Sequence, residues 1–387
     1  MDKALISVKR RKQMLRQLKQ MLIENEAAFL QALHEDLGKP EMEAYTAEIA
    51  VLLNEIDYTL WRLDTWVRPR KTYELKIGYI AKIIKRPVPY GKVLVISPWN
   101  YPLQLALLPA VNAIAAGNSC VIKPSEYATA TSELLKKSIR KPISGKEICV
   151  LTGDATVARE LIAHGFDLII FTGSAKVGKK VYEQAAANLT PVIMELGGKN
   201  ACILDESAFT EETIREIVWG KFLNAGQTCI APDTLYVPES IFGEVVGVVK
   251  KVLSDFYGEE GMAGCGRLVN DAHFRRVQSF LSQGSIVHGG KADSSRRFIS
   301  PTVLVDMEES SEVMREEIFG PVLPIVPYAN FEQLLASGMI QKDARTTNLN
   351  NKKKEHIQSL RQKVRGMVSV NKVIHHAGSS RVPFGGI

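Results

Sequence analysis

The stretch GKVLVISPWNYPLQLALLPAVNAIAAGNSCVIKPSE (91–126) decides the fold. Its runs VLVIS (93–97) and CVI (120–122) are short and β-rich, and Leu103–Ala116 between them has the pattern of a helix. A strand, a helix of this length and a second strand form a βαβ unit, in which the two strands lie parallel. The stretch therefore predicts an α/β protein built on a parallel sheet.

The same alternation extends along most of the chain. Before it, apolar residues at helical spacing predict helices, and KIGYIAKIIKRPVPYG (76–91) is β-prone and basic, which indicates an edge strand or a protruding arm. A second α/β set begins after Leu196, so we expect a domain boundary near Glu195–Gly198. The strand candidates are ICVL (148–151), LIIFTG (168–173), TLYVP (234–238), TVLVD (302–306), VLPIV (322–326) and MVSVN (367–371).

Length and composition limit the class of protein. A chain of 387 residues usually forms more than one domain, and 45% hydrophobic with 24% charged residues is ordinary for a soluble protein. The net charge of +7 comes from scattered Lys and Arg, so we expect no nucleic-acid partner. Without a long apolar run or a secretory pattern, no transmembrane segment or leader is expected. Five separated cysteines without a CxxC pair predict reduced thiols in the cytoplasm and no metal site.

Two polar motifs follow predicted strands near residues 97 and 123. In SPWNYP (97–102), Asn100 either turns its amide into a cleft at the end of the strand or caps the next helix. In IKPSE (122–126), Lys123 and Glu126 either bind ribose hydroxyls or belong to a surface turn. The GxGxxG fingerprint is absent here, so a nucleotide would need another phosphate contact.

Two glycine-containing motifs come next. In FTGSAKVG (171–178), a strand runs into Gly173 and Ser174, and a helix expected to start near Val177 offers backbone N–H groups to a phosphate; a plain strand–helix turn is the alternative. In MELGGKN (194–200), Glu195 follows apolar residues, which favours a raised pKa and a general base. The alternative is that Glu195 pairs with a buried Lys or caps a helix.

The last two motifs hold Cys229 and the pair Glu317 and Phe319. In NAGQTCIAPD (224–233), Cys229 lies at a corner after a helix, where a sulfur can face a cleft and act as a nucleophile. A buried small residue is the alternative, and it is what we expect for Cys120, Cys149, Cys202 and Cys265, with exposure in a glycine-rich loop as a second alternative for Cys265. In EEIFGPVLP (316–324), Glu317 and Phe319 either hold a ribose and a planar ring or simply lead into a strand.

The order of these motifs resembles that of the aldehyde dehydrogenase superfamily. The phrases WGKFLNAGQTCIAPD (219–233) and HHAGSSRVPFGG (375–386) are most similar to its class 3 branch, the bacterial fatty or medium-chain aldehyde type. The resemblance implies an α/β fold with an NAD(P)-binding domain (1–75 and 91–195), a β arm for oligomerisation (76–90) and a catalytic domain (196–387). It also implies NAD(P)-dependent oxidation of an aldehyde by a cytoplasmic homodimer.

The resemblance implies a role for each motif. Cys229 would be the nucleophile that forms a thiohemiacetal and then a thioester, Glu195 the base that activates water, and Asn100 an oxyanion donor with the Cys229 backbone N–H. The adenosine ribose would contact Lys123 and Glu126, and the carboxylate of Glu126 favours NAD, although NADP is often accepted. The remaining cofactor contacts implied are Gly173, Ser174, Gly178, Glu317 and Phe319.

Two departures from the family pattern lead to further expectations. The segment QKDARTTNLNNKKKEH (341–356) is nearly devoid of apolar side chains where the family has an apolar strand, so we expect a loop or a helix start there. The chain also ends at PFGGI (383–387), before the family's C-terminal end. The alternative function is thus a non-catalytic or impaired nucleotide-binding relative, and cofactor-independent ester hydrolysis by Cys229 is a third hypothesis.

Overall fold

The chain forms two compact units in a computed structural model that describes residues 6–76, 78–140, 147–258, 261 and 264–382. The first unit holds the described residues up to Leu33 together with Ala44–Met194. The second holds His34–Glu43 and the described residues from Glu195 onward. The terminal PFGGI (383–387), about which the sequence raised an expectation, lies outside the described residues.

The helices that precede residue 195 are amphipathic or buried. Leu15, Leu18 and Leu22 have no exposed surface, as their helical spacing predicted, and the Ser7 hydroxyl accepts a hydrogen bond from Arg10 N at 3.2 Å at the start of the first helix. A π-helical turn, Tyr45–Ile49, joins the third and fourth helices. The helices are α1 (Val8–Glu24), α2 (Glu26–Leu37), α3 (Glu41–Ala44), α4 (Ala50–Trp66), α5 (Gln104–Ala116), α6 (Thr129–Arg140), α7 (Ala155–His164) and α8 (Ala175–Ala186).

An antiparallel hairpin follows α4. Its strands are β1 (Arg70–Lys76) and β2 (Tyr79–Lys85), with Leu75 opposite Ile80 in the register. Strand β1 begins at Arg70, before the segment 76–90 that the sequence indicated as an arm. Leu75 is 83% exposed and Ile80 is 70% exposed, so this ribbon presents apolar side chains to solvent.

A five-stranded sheet organises the first unit. Its strands are β3 (Lys92–Ile96), β4 (Ser119–Lys123), β5 (Ile148–Val150), β6 (Leu168–Gly173) and β7 (Val192–Leu196). The order is β5-β4-β3-β6-β7, and β3 is parallel to both β4 and β6. The strand order reverses between β3 and β6, and open parallel sheets bind ligands in the crevice at such a switch point.

The second unit is built on a seven-stranded sheet. The strands of this unit are β8 (Ala201–Leu204), β9 (Thr234–Pro238), β10 (Ser285–His288), β11 (Ala292–Asp293), β12 (Phe298–Ile299), β13 (Thr302–Val305), β14 (Val322–Tyr328), β15 (Thr346–Asn350) and β16 (Met367–Val370). The order in the large sheet is β10-β13-β14-β9-β8-β15-β16, with β10 antiparallel to β13 and the other pairings parallel, while β11 and β12 form a separate pair. The helices are α9 (Glu211–Phe222), α10 (Phe242–Tyr257), α11 (Asp271–Ser279), α12 (Glu312–Arg315), α13 (Phe331–Ala336) and α14 (Lys354–Lys363).

The expectation of a loop in the polar segment 341–356 was wrong at its centre. Strand β15 lies between β8 and β16, and all of its side chains are buried. Backbone groups make the ladder whatever the side chain is, and Thr346 and Thr347 are β-branched, which suits a strand. The expected helix start is present at Lys354, where α14 begins.

No helix in the described part of the chain is long and apolar enough to cross a membrane.

Candidate active site

Asn100 lies just beyond β3, at the switch point of the first sheet. It is buried, and it does not cap α5, so the helix-cap alternative was wrong. The carboxylate of Glu48 caps α5 instead, because it accepts hydrogen bonds from Leu103 N at 2.9 Å and Gln104 N at 3.1 Å. Because another residue satisfies the helix N-terminus, the Asn100 amide is not needed there.

Lys123 and Glu126 form an ion pair at the end of β4. The Lys123 ammonium donates to Glu126 Oε2 at 2.8 Å; the Lys123 side chain is 4% exposed and that of Glu126 34%. A lysine buried to this degree needs a partner, and Glu126 supplies one. The pair therefore fixes both side chains at the carboxyl edge of the sheet, where a ribose would bind.

The turn after β6 brings Gly173 and Ser174 to the start of α8. The helix begins at Ala175, two residues before the expected Val177, and the Ser174 hydroxyl accepts from Val177 N at 3.4 Å. A Cβ on Gly173 would lie 2.7 Å from the Phe171 ring, so a larger residue there would have to displace that ring. Gly178 is buried in the first turns of α8, where it donates to Ser174 O at 2.8 Å. This is a tight turn into a helix N-terminus, the arrangement that suits a phosphate.

The chain is strained just before Cys229. Asn224, Ala225 and Gly226 have φ values of 57°, 53° and 72°, a left-handed run that costs free energy at the two residues that are not glycine. Gln227 has no exposed surface and holds the corner, because its amide donates to Asn224 O at 3.0 Å and to Arg267 O at 3.1 Å. The corner is thus a fixed support for the residues that follow it.

Asn200 holds the Cys229 loop from the other side. Its Nδ2 donates to Cys229 O at 2.8 Å and to Ala231 O at 3.2 Å, while its Oδ1 accepts from Thr346 N at 3.0 Å. One buried amide therefore ties the cysteine loop to the start of β15.

The electrostatic surroundings of Cys229 contain charges of both signs. Burial raises the pKa of the Cys229 thiol to about 12, opposed by the nearby Arg345 guanidinium and reinforced by the carboxylates of Glu317 and Glu195. The remaining cysteines are also free thiols: Cys120 and Cys202 are buried and Cys265 is partly buried. Cys149 was expected to be buried but is exposed, because its side chain lies on the open face of β5.

Glu195 lies at the end of β7, half-buried. Burial raises the pKa of its carboxyl, as the apolar neighbours in the sequence suggested, and the charge and hydrogen bond of Arg345 oppose that rise. Glu195 accepts a hydrogen bond from Arg345 Nη1, so it pairs with an arginine and not with the lysine of the alternative interpretation.

The carboxylate of Glu317 packs against the backbone of Gly197 and Gly198. It accepts a hydrogen bond from Gly198 N, and a Cβ on Gly197 would collide with its carboxylate. Burial, reinforced by the charge of Asp233, raises the pKa of Glu317 to about 7. Phe319 has φ of 50°, unusual for a bulky residue, and its carbonyl is 2.8 Å from His273 Nε2.

A buried ion pair supports the Glu317 loop. Lys199 and Asp233 are 5% and 4% exposed and pair directly. Lys199 also donates to Val313 O at 2.8 Å, and Asp233 accepts from Ile318 N at 2.9 Å. Sequence reasoning assigned no role to either residue, although both lie within motifs that it selected.

The two units therefore present two sets of residues. Asn100, Lys123, Glu126 and the turn at Gly173 share the carboxyl edge of one parallel sheet. A second group carries a thiol with carboxylates and a guanidinium around it, namely Cys229, Glu195, Glu317 and Arg345. A thiol, a carboxylate and a sheet edge that suits a nucleotide are the chemical groups that oxidation through a covalent acyl intermediate uses.

Residues 3–387 match the family model described as the aldehyde dehydrogenase family. The chain belongs to this family. It is accordingly an aldehyde dehydrogenase, an oxidoreductase that oxidises aldehydes with NAD(P). Because the match runs through nearly the whole chain, the comparisons do not favour the non-catalytic alternative.

Individual relatives agree with this assignment. The enzyme is 53% identical over 384 residues to the 4,4'-diapolycopene-4,4'-dial dehydrogenase of Cytobacillus firmus, covering 98% of this chain and 85% of that protein. It is 38% identical over 384 residues to the dimeric NADP-preferring aldehyde dehydrogenase of Rattus norvegicus, with coverages of 98% and 85%. Aldehyde dehydrogenase family 3 member A2 of Mus musculus is 38% identical over 384 residues, with coverages of 97% and 78%. The class 3-like resemblance is thereby confirmed.

A solved structure confirms the fold. The substrate-bound state of Staphylococcus aureus AldH matches with a TM-score of 0.95 at 35% identity, covering 98% of this chain and 84% of that chain. The α/β aldehyde dehydrogenase fold expected from the sequence is therefore correct.

Proposed function

We propose that the enzyme oxidises its aldehyde through a covalent intermediate on Cys229. The supporting observation is the surroundings of that thiol: a strained corner, a carbonyl held by Asn200, and the charges of Arg345, Glu195 and Glu317. The thiolate attacks the carbonyl carbon to give a thiohemiacetal, which loses hydride and becomes a thioester. Water then releases the carboxylic acid and the thiol.

Glu195 is proposed as the base for the second half of the reaction. A half-buried carboxyl with a raised pKa has the basicity to take a proton from water, and Arg345 favours its ionised form. The role of Asn100 as an oxyanion donor stays a prediction from its motif, supported by its burial just beyond β3.

The first unit is proposed as the NAD(P)-binding domain and the second as the catalytic domain. The fit of a dinucleotide rests on the switch point of the first sheet, on the turn at Gly173 that leaves no room for a Cβ, and on the fixed pair Lys123 and Glu126. Glu317 and Phe319 are proposed to hold the nicotinamide ribose. When bound, NAD(P) supplies the hydride acceptor. The Glu126 carboxylate repels a 2′-phosphate, which favours NAD.

The apolar hairpin β1–β2 is proposed as an arm that pairs with a second copy of the chain. Its exposed Leu75 and Ile80 would lose water contact in a homodimer. A cytoplasmic location is proposed from the free thiols, among them the exposed Cys149.

The test is NAD(P)H production with a panel of aliphatic and aromatic aldehydes. The panel includes a long apolar dialdehyde, since the Cytobacillus firmus relative is named for one. Cys229→Ser is expected to abolish turnover, while the control Cys149→Ser, at an exposed thiol, keeps it. A Cys229→Ser variant with an intact rate, or a folded enzyme inactive on the whole panel, contradicts the proposal.

A further inference from the structure

Arg345 is a buried charge in the segment where the sequence departs from the family pattern. Its side chain is 5% exposed and it immediately precedes strand β15. A guanidinium buried to this degree is stabilising only where acceptors surround it. The hydrogen-bond acceptors of the Arg345 guanidinium therefore indicate its role.

Two of those acceptors belong to the end of β7. Arg345 Nη1 donates to Glu195 Oε2, and its Nε donates to the carbonyl oxygen of Leu196, the next residue. One planar guanidinium therefore holds both the side chain of Glu195 and the backbone beside it. Gly198 permits this approach, because a Cβ there would lie 3.2 Å from Arg345 N.

The same arginine is tied to the cysteine loop. Thr346 N, one residue on, donates to Asn200 Oδ1 at 3.0 Å, and Asn200 Nδ2 donates to Cys229 O at 2.8 Å. The charge of Arg345 is close enough to act on the Cys229 thiol and on His376, whose pKa is lowered by burial first and by Arg345 second. The Arg345 guanidinium thus favours ionisation of the thiol, whereas the carboxylates of Glu317 and Glu195 oppose it.

We propose that Arg345 is a positioning residue of this active site, which holds Glu195 in its ionised form and favours the thiolate of Cys229. The inference rests on the proposed roles of those two residues. Burial raises the pKa of both acids, so one cation promotes the attacking form of the thiol and the basic form of the carboxylate. Removing the charge moves both ionisations to higher pH.

The first experiment measures Cys229 alone. The rate of alkylation by iodoacetamide is followed against pH without cofactor or aldehyde, with Cys229→Ser subtracted as the background from the other thiols. Arg345→Gln, which keeps a donor for the Leu196 carbonyl, is expected to raise the thiol midpoint by about 1 pH unit. This rise is read as an alkylation rate about tenfold lower at neutral pH, where the thiolate is the minor form. The control is Arg11→Gln, since Arg11 is another buried arginine that donates to a carbonyl, that of Ala115, and its loss leaves the midpoint unchanged.

The second experiment measures Glu195. Single-turnover cleavage of p-nitrophenyl acetate gives a burst for acylation of Cys229 and a slow phase for hydrolysis of the thioester. Arg345→Gln is expected to move the midpoint of the slow phase upward by about 1 pH unit. Arg345→Lys keeps the positive charge but lacks the planar guanidinium with its several donors. It is therefore expected to have the wild-type midpoint for the thiol and a slow-phase midpoint between those of the wild type and Arg345→Gln.

The outcomes separate the two proposals. Alkylation profiles of Arg345→Gln and wild type that superimpose overturn the role of Arg345 even if aldehyde oxidation is intact. An enzyme that oxidises no aldehyde overturns the proposed function, while the alkylation profile still decides the role of Arg345. If Arg345→Gln does not fold, Arg345→Lys decides alone: a raised slow-phase midpoint with an unmoved thiol midpoint supports the role, and any other pattern refutes it.

Discussion

Two buried asparagines in the second unit predict opposite effects of the same substitution. Asn348 in β15 has no exposed surface, and neither polar atom of its side chain has a hydrogen-bond partner among the described residues. Asn200 is 1% exposed, and its side chain makes three hydrogen bonds. Leucine has nearly the shape of asparagine, so replacement by leucine isolates the effect of the polar atoms.

The magnitude follows from the cost of unsatisfied groups. A buried polar group without a partner costs about 1–3 kcal/mol, so Asn348→Leu removes that penalty and is expected to stabilise the unit by about 2 kcal/mol. Asn200→Leu leaves two carbonyls and the Thr346 N–H without their partner, and is expected to destabilise it by about 3 kcal/mol. For a unit of this size each kcal/mol corresponds to about 2–4 °C in Tm.

Differential scanning calorimetry of the wild type and the two variants checks the prediction. Asn348→Leu should melt about 4–8 °C above the wild type and Asn200→Leu below it. Asn200→Leu should also lose most of its activity, because the Cys229 carbonyl is released, whereas Asn348→Leu should keep it. Two shifts of the same sign would refute the reasoning from hydrogen-bond satisfaction.

Three further predictions concern ion pairs, pH and assembly. Lys199→Met leaves the buried Asp233 without its ion-pair partner, so urea unfolding should show a loss of about 3–5 kcal/mol in the free energy of unfolding. The control Lys251→Met, in an exposed ion pair, should lose less than about 1 kcal/mol. Equal losses in the two variants would contradict this prediction. Glu317 has a pKa raised from 4.5 to about 7, so its contribution to stability is present below pH 4.5 and is lost as pH rises through about 7. Glu317→Gln should therefore melt above the wild type at about pH 8, with the gap closing towards about pH 4.5, and a gap independent of pH would exclude this cause. Ile80→Asp in the hairpin should convert a dimer to a monomer in sedimentation experiments, and an unchanged dimer would argue against this arm as the interface.

Much of the fold follows from local pattern. The βαβ stretch 91–126 predicts β3, α5 and β4 nearly to the residue, because apolar strands buried on both faces differ clearly from the helix between them. Strand β15 could not be predicted, because its burial comes from its neighbours β8 and β16 and not from its own side chains. Local hydrophobicity is a weak guide wherever a long-range pairing decides the structure.

The candidate site shows the same limit. The motifs contain Cys229, Glu195 and Glu317, and the burial that raises the pKa of Glu195 could be anticipated from its apolar neighbours. Arg345 could not be found in this way, because 150 positions separate it from Glu195 and nothing in ARTTNLN indicates an active-site cation. Glu48 was missed for a similar reason, since it caps a helix that begins 56 positions later.

The late position of β15 in the chain has a consequence for synthesis. The strands β3 to β7 all lie within residues 92–196, so their sheet has its sequence complete early in translation. The hydrogen bond from Thr346 to Asn200 spans 146 positions, which a ribosome needs about 7–30 s to translate. During that interval β8 has an open edge, and an open edge in a nascent chain invites pairing with other chains. Folding of the second unit is therefore the stage at which we expect the nascent chain to be most exposed to aggregation.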